Sequence, residues 1–231
     1  ILNGLDGKLW SPATDPALAH SYSAKKQLGK AGCKKSLQKE LGLHVQSDVP
    51  IVAMITRLDS QKGIELVLES WDRIMSRELQ LVILGTGDPD FERRLAEAEV
   101  FYPGQARVLL RFDDALSRRI YAGSDIFLMP SRYEPCGLGQ LIALRYGTVP
   151  LVHATGGLAD TIIDPQTSAE PANGYIFHEY LHSSLLSGLD RTLAAYAEPK
   201  SWQKLMLQGM TQDLSWDRAA QEYVDLYRLC T

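Results

Sequence analysis

The sequence predicts a doubly wound α/β fold: a parallel sheet with helices on both faces and further helices at the C-terminal end. Short, nearly unbroken runs of Val, Ile and Leu recur along the chain, as in strands that are buried on both faces. Helical patterns separate these runs, so each strand–helix–strand unit predicts a right-handed crossover between parallel strands. The clearest runs are PIVAMIT (50–56), LQLVILG (79–85), ARVLLRF (106–112), SDIFLMP (124–130) and TVPLVHA (148–154).

The elements around the strands follow from local composition. Residues 1–22 are rich in Gly, Pro, Asn and Asp and predict an irregular lead-in. A basic helix is predicted from about 23 to 41, with its lysines on a solvated face. Segment 61–76 has the apolar spacing of an amphipathic helix. The other crossover helices are predicted at 90–101, 114–122 and 138–147.

The alternation of strands and helices ends near residue 180. A last short strand is predicted at 174–177, and the pattern of roughly 180–230 is that of two or three helices. We therefore predict three parts: a connecting segment (1–22), an α/β domain (23–179), and helices that belong to the same domain (180–231).

The composition narrows the class of protein. The chain has 231 residues, of which 45% are hydrophobic and 23% charged, so it can bury a full core. A net charge of −4 argues against a general nucleic-acid-binding protein. Three widely spaced cysteines, Cys33, Cys136 and Cys230, argue against a disulfide framework or a zinc site and favour a reducing compartment. No apolar run approaches the ~20 residues of a membrane span.

Candidate binding residues lie in loops after the strands, because open parallel sheets bind ligands at the carboxyl ends of their strands. The loop TRLDSQKG (56–63) contains Arg57 and Lys62, and Ser60 is placed to cap the following helix. Two cations beside a helix N-terminus make a pocket for a diphosphate. For this loop alone, solvated surface charges are the simpler interpretation.

The loop GTGDPDFE (85–92) resembles a dinucleotide-binding turn only in part. The third glycine of that motif is missing, and Asp90 stands at its position. A nicotinamide or flavin site is therefore not predicted, and Asp88 or Asp90 is expected to cap the next helix.

The loop SRYEPCGLGQL (131–141) carries the most specific chemistry. Gly137 and Gly139 allow the backbone to approach a ligand closely, and a helix is predicted from Leu138. Glu134 is expected near the positive end of that helix. Cys136 is interpreted as an ordinary small buried residue. Tyr133 is able to stack on a base or simply to pack.

A fourth loop, ATGGLADT (154–161), is another glycine-rich turn from strand to helix. Thr155 is expected to cap the helix, and Gly156 and Gly157 clear space for a ligand. His153, at the strand end, is interpreted as a hydrogen-bonded structural histidine. We expect Arg57, Lys62 and Glu134 to share one pocket, which suits a nucleotide diphosphate carrying a polyhydroxylated group. No cluster of metal ligands and no G-x-S-x-G motif is present.

Several motifs together resemble the bacterial glycogen synthase and plant starch synthase family. They are ILNGLDGKLWSPATDP, TRLDSQKG, GTGDP, IYAGSDIFLMPSRYEPCGLGQL, ALRYGTVPLV and TGGLADT, in the family's order. The resemblance implies half of a retaining GT-B glycosyltransferase, in which two Rossmann-like domains face across a cleft. Such enzymes transfer glucose from ADP-glucose, or UDP-glucose in some relatives, to the 4-hydroxyl at the non-reducing end of an α-1,4-glucan, without a further cofactor.

The resemblance also implies residue roles. Arg57 and Lys62 would bind the phosphates, and Glu134 would lie against the transferred glucose, so that its loss stops transfer but leaves ADP binding nearly intact. Two-carboxylate hydrolysis chemistry is not expected, because Glu134 is the only acid in this loop. Related transferases often carry a second glutamate where Ile142 stands here, and its absence is usual for the glycogen synthase branch. The remaining expected contacts to the nucleotide sugar come from Tyr133 beside the adenine, the backbones of Cys136, Gly137, Leu138 and Gly139, Thr155, and Asn3 from the connecting segment.

The family's N-terminal domain, with its lysine–glycine–glycine loop, is expected to precede this chain and to be required for activity. The resemblance implies the bacterial cytoplasm or the plastid stroma, with neither nucleic acid nor membrane as a partner. A free-standing regulatory module that binds nucleotide or glucan remains the alternative. A different enzyme of the same architecture, such as a phosphorylase or a sucrose-using transferase, is less favoured. A phosphorylase would hold pyridoxal phosphate on a lysine in this half, and no segment matches such a site.

Overall fold

The computed structural model describes residues 1–166 and 171–229, and its centre is one parallel sheet. The strands are β1 Ile51–Ile55, β2 Gln80–Leu84, β3 Ala106–Leu109, β4 Ile126–Met129, β5 Val149–His153 and β6 Tyr175–Phe177. Their order in the sheet is β3-β2-β1-β4-β5-β6. The chain order reverses between β1 and β4, which makes their carboxyl ends the expected ligand position. This topology confirms the predicted doubly wound fold.

Helices cover the sheet and complete the C-terminal part of the described chain. The predicted helix at 61–76 is divided, because Gly63 adopts a left-handed conformation (φ 77°) after a 3₁₀ turn, Ser60–Lys62, and Ser70 separates the two helices that follow. No described helix is long and apolar enough to cross a membrane. The helices are α1 Leu28–Leu41, α2 Ile64–Glu69, α3 Trp71–Met75, α4 Pro89–Glu99, α5 Asp114–Gly123, α6 Gly139–Arg145, α7 Gly156–Thr161, α8 His182–Tyr196, α9 Pro199–Thr211 and α10 Trp216–Leu229.

The core has two layers because successive side chains of a strand point to opposite faces of the sheet. Along β1, Val52 and Met54 belong to one apolar cluster with α2, α3, α4 and α8. Ile51 and Ala53 belong to the other, with α1, α5 and α6. Both faces of the sheet are therefore buried, which explains why the strands are unbroken apolar runs rather than alternating apolar and polar residues.

The interpretation of the basic helix as a solvated face is wrong at Lys30 and Lys34, which are buried, and α1 begins only at Leu28. Lys34 pairs with Asp125 at 2.8 Å. Lys30 Nζ lies where α1 crosses the amino ends of β4 and β5, and a charge is tolerated there because its three N–H groups are shared among four oxygens. They are the carbonyl oxygens of Ala122 (3.2 Å), Ser124 (3.0 Å) and Tyr146 (3.1 Å), and Thr148 Oγ1 (3.0 Å).

Replacing Lys30 by methionine is expected to lower the free energy of unfolding by about 3 kcal/mol, because buried carbonyls lose their donor. Burial lowers the pKa of Lys30 to about 8 in the folded state, against 10.5 for the free group. Between those values the unfolded chain binds more protons, so wild-type stability rises with pH relative to Lys30→Met. Urea unfolding at pH 7 and 9.5 measures both effects. The exposed Lys35→Met on the same helix is the control, and equal losses in the two variants would contradict the assignment.

The connecting segment is held against the domain from Leu5 onward, since the Leu5 side chain is buried and its N–H donates to the Leu214 carbonyl at 2.6 Å. The guanidinium of Arg118 stacks on the Trp10 ring at 4.4 Å and donates to the Leu9 carbonyl at 2.8 Å. Tyr146 donates to Asp15 Oδ2 at 2.5 Å. Tyr22 Oη donates to the Tyr146 carbonyl at 2.7 Å, so the segment from Leu5 to Tyr22 packs on the domain. The proposed division at residue 22 remains a prediction.

Candidate functional site

The loops after β1, β4 and β5 meet at the carboxyl edge of the sheet. The N–H of Arg132 donates to the Gln61 carbonyl at 2.9 Å, and the N–H of Gly157 donates to the Glu134 carbonyl at 3.0 Å. A Cβ on Gly156 would lie 2.2 Å from the Glu134 carbonyl oxygen, so the glycine-rich turn before α7 allows this close approach. The predicted convergence of these loops is therefore observed.

The turn that carries Lys62 is capped by Asp59. The sequence-based prediction of Ser60 as the cap is therefore wrong. Asp59 Oδ1 accepts from the N–H of Lys62 at 3.0 Å, because Asp59 is the residue with extended backbone before the turn. Gly63 then packs on the end of β4, where an added Cβ would lie 2.0 Å from the Pro130 carbonyl oxygen. Cap and glycine together direct the turn toward the loop after β4.

Lys62 and Glu134 form a largely buried ion pair. Lys62 Nζ lies 2.6 Å from Glu134 Oε2, and the two side chains are 17% and 9% exposed. Ser131 Oγ donates to the same carboxylate oxygen at 3.2 Å. The Ser131 carbonyl lies 2.8 Å from His153 Nδ1, which supports the interpretation of His153 as a hydrogen-bonded structural residue. The pair places opposite charges, partly desolvated, at the switch point of the sheet.

Arg57 lies at the same edge but does not join this pair. Its side chain is 71% exposed and 3.5 Å from Asp59. It lines a cavity of about 340 Å³ at the carboxyl ends of β1 and β2, to which neither Lys62 nor Glu134 contributes. The structure brings Lys62 and Glu134 together as expected, whereas no ion pair or hydrogen bond joins Arg57 to either of them in the described part of the chain. A donor pocket shared by all three residues remains a prediction.

The cavity beside Arg57 contains aromatic residues that the sequence reasoning missed. Phe112 lies at its rim and is 91% exposed, and Trp10 and Tyr121 contribute to its wall. The sequence pattern predicts a strand over the whole run 106–112, whereas β3 ends at Leu109. An aromatic residue just beyond a short edge strand, before an aspartate-capped helix, is the signal that could have identified Phe112.

The loop after β4 presents free backbone donors. Gly137 adopts a left-handed conformation (φ 72°), and the N–H groups of Gly137, Leu138 and Gly139 have no hydrogen-bond partner among the residues that the structure describes. Tyr133 is 59% exposed, and Cys136 is half-buried rather than buried. The free N–H groups are suited to an anion.

Two other predicted residues are placed differently from expectation. Thr155 occupies the N-cap position of α7, but its side chain makes no capping hydrogen bond. Asn3 lines a cavity of about 330 Å³ with Gln212 and Arg218, to which Leu141 contributes but Glu134 does not. Asp88, in contrast, caps α4 as predicted by accepting from the N–H of Asp90 at 2.8 Å.

The free cysteines that the structure describes are Cys33 and Cys136, while Cys230 lies outside the described residues. Among residues 1–166 and 171–229, no group of three or more His, Cys, Asp or Glu side chains could hold a metal ion. The chemistry that this edge offers is electrostatic: an ammonium and free N–H groups stabilise negative charge, and a carboxylate stabilises positive charge.

Comparison with known proteins assigns a family model, glycosyl transferases group 1, to residues 40–205. The glycogen synthase of Syntrophotalea carbinolica is 56% identical over 228 residues, which cover 99% of this chain and 47% of that protein. The glycogen synthase of Geotalea uraniireducens is 50% identical over 229 residues, with the same coverage. The chain thus spans about half the length of the curated relatives it matches.

Solved structures agree with the sequence relatives. The catalytic domain of starch synthase IV from Arabidopsis thaliana, bound to ADP and acarbose, superposes with a TM-score of 0.93 at 38% identity, over 99% of this chain and 48% of that one. Sucrose-phosphate synthase from Thermosynechococcus elongatus gives a TM-score of 0.68 at 25% identity, over 99% and 51%.

Proposed function

Because this chain belongs to the family of group 1 glycosyl transferases, we propose that it is the donor-binding part of a glycogen or starch synthase. The reaction is transfer of glucose, with retention, from ADP-glucose or UDP-glucose to the 4-hydroxyl at the non-reducing end of an α-1,4-glucan. The names of its relatives support this choice, since those proteins match across almost the whole chain.

The buried pair of Lys62 and Glu134 is the observation that carries the proposal. Breaking a glycosyl–phosphate bond builds negative charge on the departing diphosphate and positive charge on the sugar. Preorganised charges that match this separation lower the barrier. Lys62 and the free N–H groups of Leu138 and Gly139 take the diphosphate, and Glu134 faces the sugar, with the backbone of Cys136 and Gly137 close to its hydroxyls.

The cavity beside Arg57 takes the nucleoside. Its aromatic wall offers stacking surface to a base, and Arg57 stands where the adjoining phosphate would emerge. Tyr133, on the loop after β4, is exposed but does not line this cavity, so its proposed contact with the adenine rests on the family resemblance. Thr155 and Asn3 remain proposed contacts to the nucleotide sugar. Among the described residues, no hydrogen bond joins either of them to Glu134 or Lys62, so no observed contact supports these two assignments.

A second domain would complete the cleft. Helix α10 exposes Trp216, Tyr223 and Tyr227, and only Ala219 of this helix is buried. Relatives about twice as long as this chain are consistent with a preceding domain that covers such a face and binds the glucan acceptor. The bacterial cytoplasm or the plastid stroma is the proposed compartment. No specific observation favours a free-standing regulatory module.

The proposal is tested by titration calorimetry of the chain with ADP and with UDP. We expect weak binding, with a dissociation constant on the order of 1 mM (about −4 kcal/mol), because one wall of the cleft is present. The chain alone is expected to show no synthase activity. Inorganic sulfate at equal ionic strength controls for general anion binding. No heat with either nucleotide at several millimolar, in a sample with a cooperative unfolding transition, would contradict the proposal.

A further inference from the structure

Gln140, in the first turn of α6, is completely buried beside the loop that carries Glu134. Its side-chain Nε2 donates to the Cys136 carbonyl at 3.0 Å and to the Gly137 carbonyl at 3.2 Å. Thr161 Oγ1 lies 3.2 Å from the same nitrogen, so the two amide hydrogens are shared among three acceptors. One amide nitrogen thus holds two successive backbone carbonyls of the loop and connects them to α7.

The orientation of this amide follows from its partners. The Cys136 and Gly137 carbonyls can only accept, and the Thr161 hydroxyl already donates to the Gly157 carbonyl at 2.6 Å. The nitrogen of Gln140 must therefore face all of them, and Gln140 Oε1 remains buried without a partner. An unpaired buried oxygen is costly, so its retention at this position requires an explanation.

Peptide geometry supplies that explanation. The described chain contains no cis peptide bonds, and in a trans peptide the C=O and N–H groups point in opposite directions. Drawing both carbonyls inward to Gln140 turns the N–H groups of Gly137 and Leu138 outward. Gly137 is left-handed (φ 72°) and Leu138 is right-handed (φ −117°, ψ −26°), a succession that forms an anion-binding concavity.

We infer that Gln140 is a positioning residue for the donor's distal phosphate. It touches no substrate, and it acts by setting the direction of two peptide units. The N–H group of Leu138 binds the distal phosphate, and the N–H group of Gly137 faces the adjoining sugar. This inference rests on the proposed function. A methionine of similar length would fill the same space, but it would leave both carbonyls without a donor and free to rotate.

The test compares a nucleoside diphosphate with its own monophosphate, because the loop is expected to contact only the distal phosphate. Calorimetry with ADP and AMP on the wild-type chain, Gln140→Met and Gln140→Glu gives a ratio of the two affinities for each protein. UDP and UMP replace them if UDP binds more tightly. We expect Gln140→Met to lose about 10-fold in ADP affinity with AMP within about twofold of wild type. Gln140→Glu should lose more, since its oxygens repel both carbonyls.

Thr161→Val is the matched control, because it removes the third partner of Gln140 and leaves both carbonyl contacts. It is expected to keep the wild-type ratio. An unchanged ratio in Gln140→Met would overturn the inference while leaving the proposed function intact. An equal loss of ADP and AMP affinity would assign Gln140 a general structural role and overturn it too. Absence of nucleotide binding by the wild-type chain would contradict the proposed function instead. If Gln140→Glu fails to fold, Gln140→Met decides.

Discussion

Replacing Lys62 by methionine is expected to weaken ADP binding by about 2 kcal/mol, or roughly 30-fold, because a charge-assisted contact to the diphosphate is lost. The same change removes the partner of a buried carboxylate, Glu134, so the chain should also lose about 3 kcal/mol of stability. Calorimetric titration with ADP and urea unfolding measure the two effects separately.

The double variant Lys62→Met/Glu134→Gln separates binding from folding. Stability should largely return, since the buried carboxylate is gone, whereas ADP affinity should remain low, since the cation is still missing. Lys204→Met, at an exposed lysine on α9, is the control for loss of one positive charge. If the double variant recovers ADP binding together with stability, Lys62 supports the fold and does not bind the donor.

Replacing Glu134 by glutamine is expected to have opposite effects on binding and on transfer. In the described structure Glu134 holds Lys62 at 2.6 Å and would compete with the diphosphate for it. Removing that charge should therefore tighten ADP binding by about 1 kcal/mol, roughly fivefold. With the proposed second domain present, the rate of the proposed glucose transfer should fall by about 10²- to 10³-fold, because no carboxylate stabilises the positive sugar.

Glu97→Gln, at an exposed glutamate of α4, controls for the change in net charge. It should leave both ADP affinity and transfer near their wild-type values. Weaker ADP binding by Glu134→Gln would show that Glu134 assists the nucleotide rather than competing with it. A transfer rate within about threefold of wild type would remove Glu134 from the proposed chemistry.

The ion pair between Lys62 and Glu134 changes what we expect for ADP binding when Glu134 is replaced. With Lys62 assigned to the phosphates and Glu134 to the sugar, loss of Glu134 was expected to leave ADP binding nearly unchanged. The two residues are separated by 72 positions, so no local pattern could show that their side chains touch. Their contact couples the two roles through charge.

Local sequence patterns predicted the elements whose physics is local. Apolar runs identified the strands because both faces of the sheet are buried, and the loop after each run could be located from its glycines, prolines and charges. The same patterns failed where a side chain's partner comes from a distant segment. The lysine-rich sequence around Lys30 is typical of a solvated helix face. The four oxygens that surround its ammonium nevertheless come from residues 92 to 118 positions further along the chain.

By itself, the sequence determined the doubly wound fold, the order of its elements and the loops in which binding residues lie, because hydrophobic periodicity and turn chemistry act over a few residues. Only the tertiary structure decided which loop residues meet. It paired Lys62 with Glu134, turned Arg57 toward a different cavity, and placed the buried amide of Gln140 against the backbone of the glycine-rich loop. The direction of a side chain depends on long-range packing and on the hydrogen bonds left open by neighbouring segments, and no local pattern contains that information.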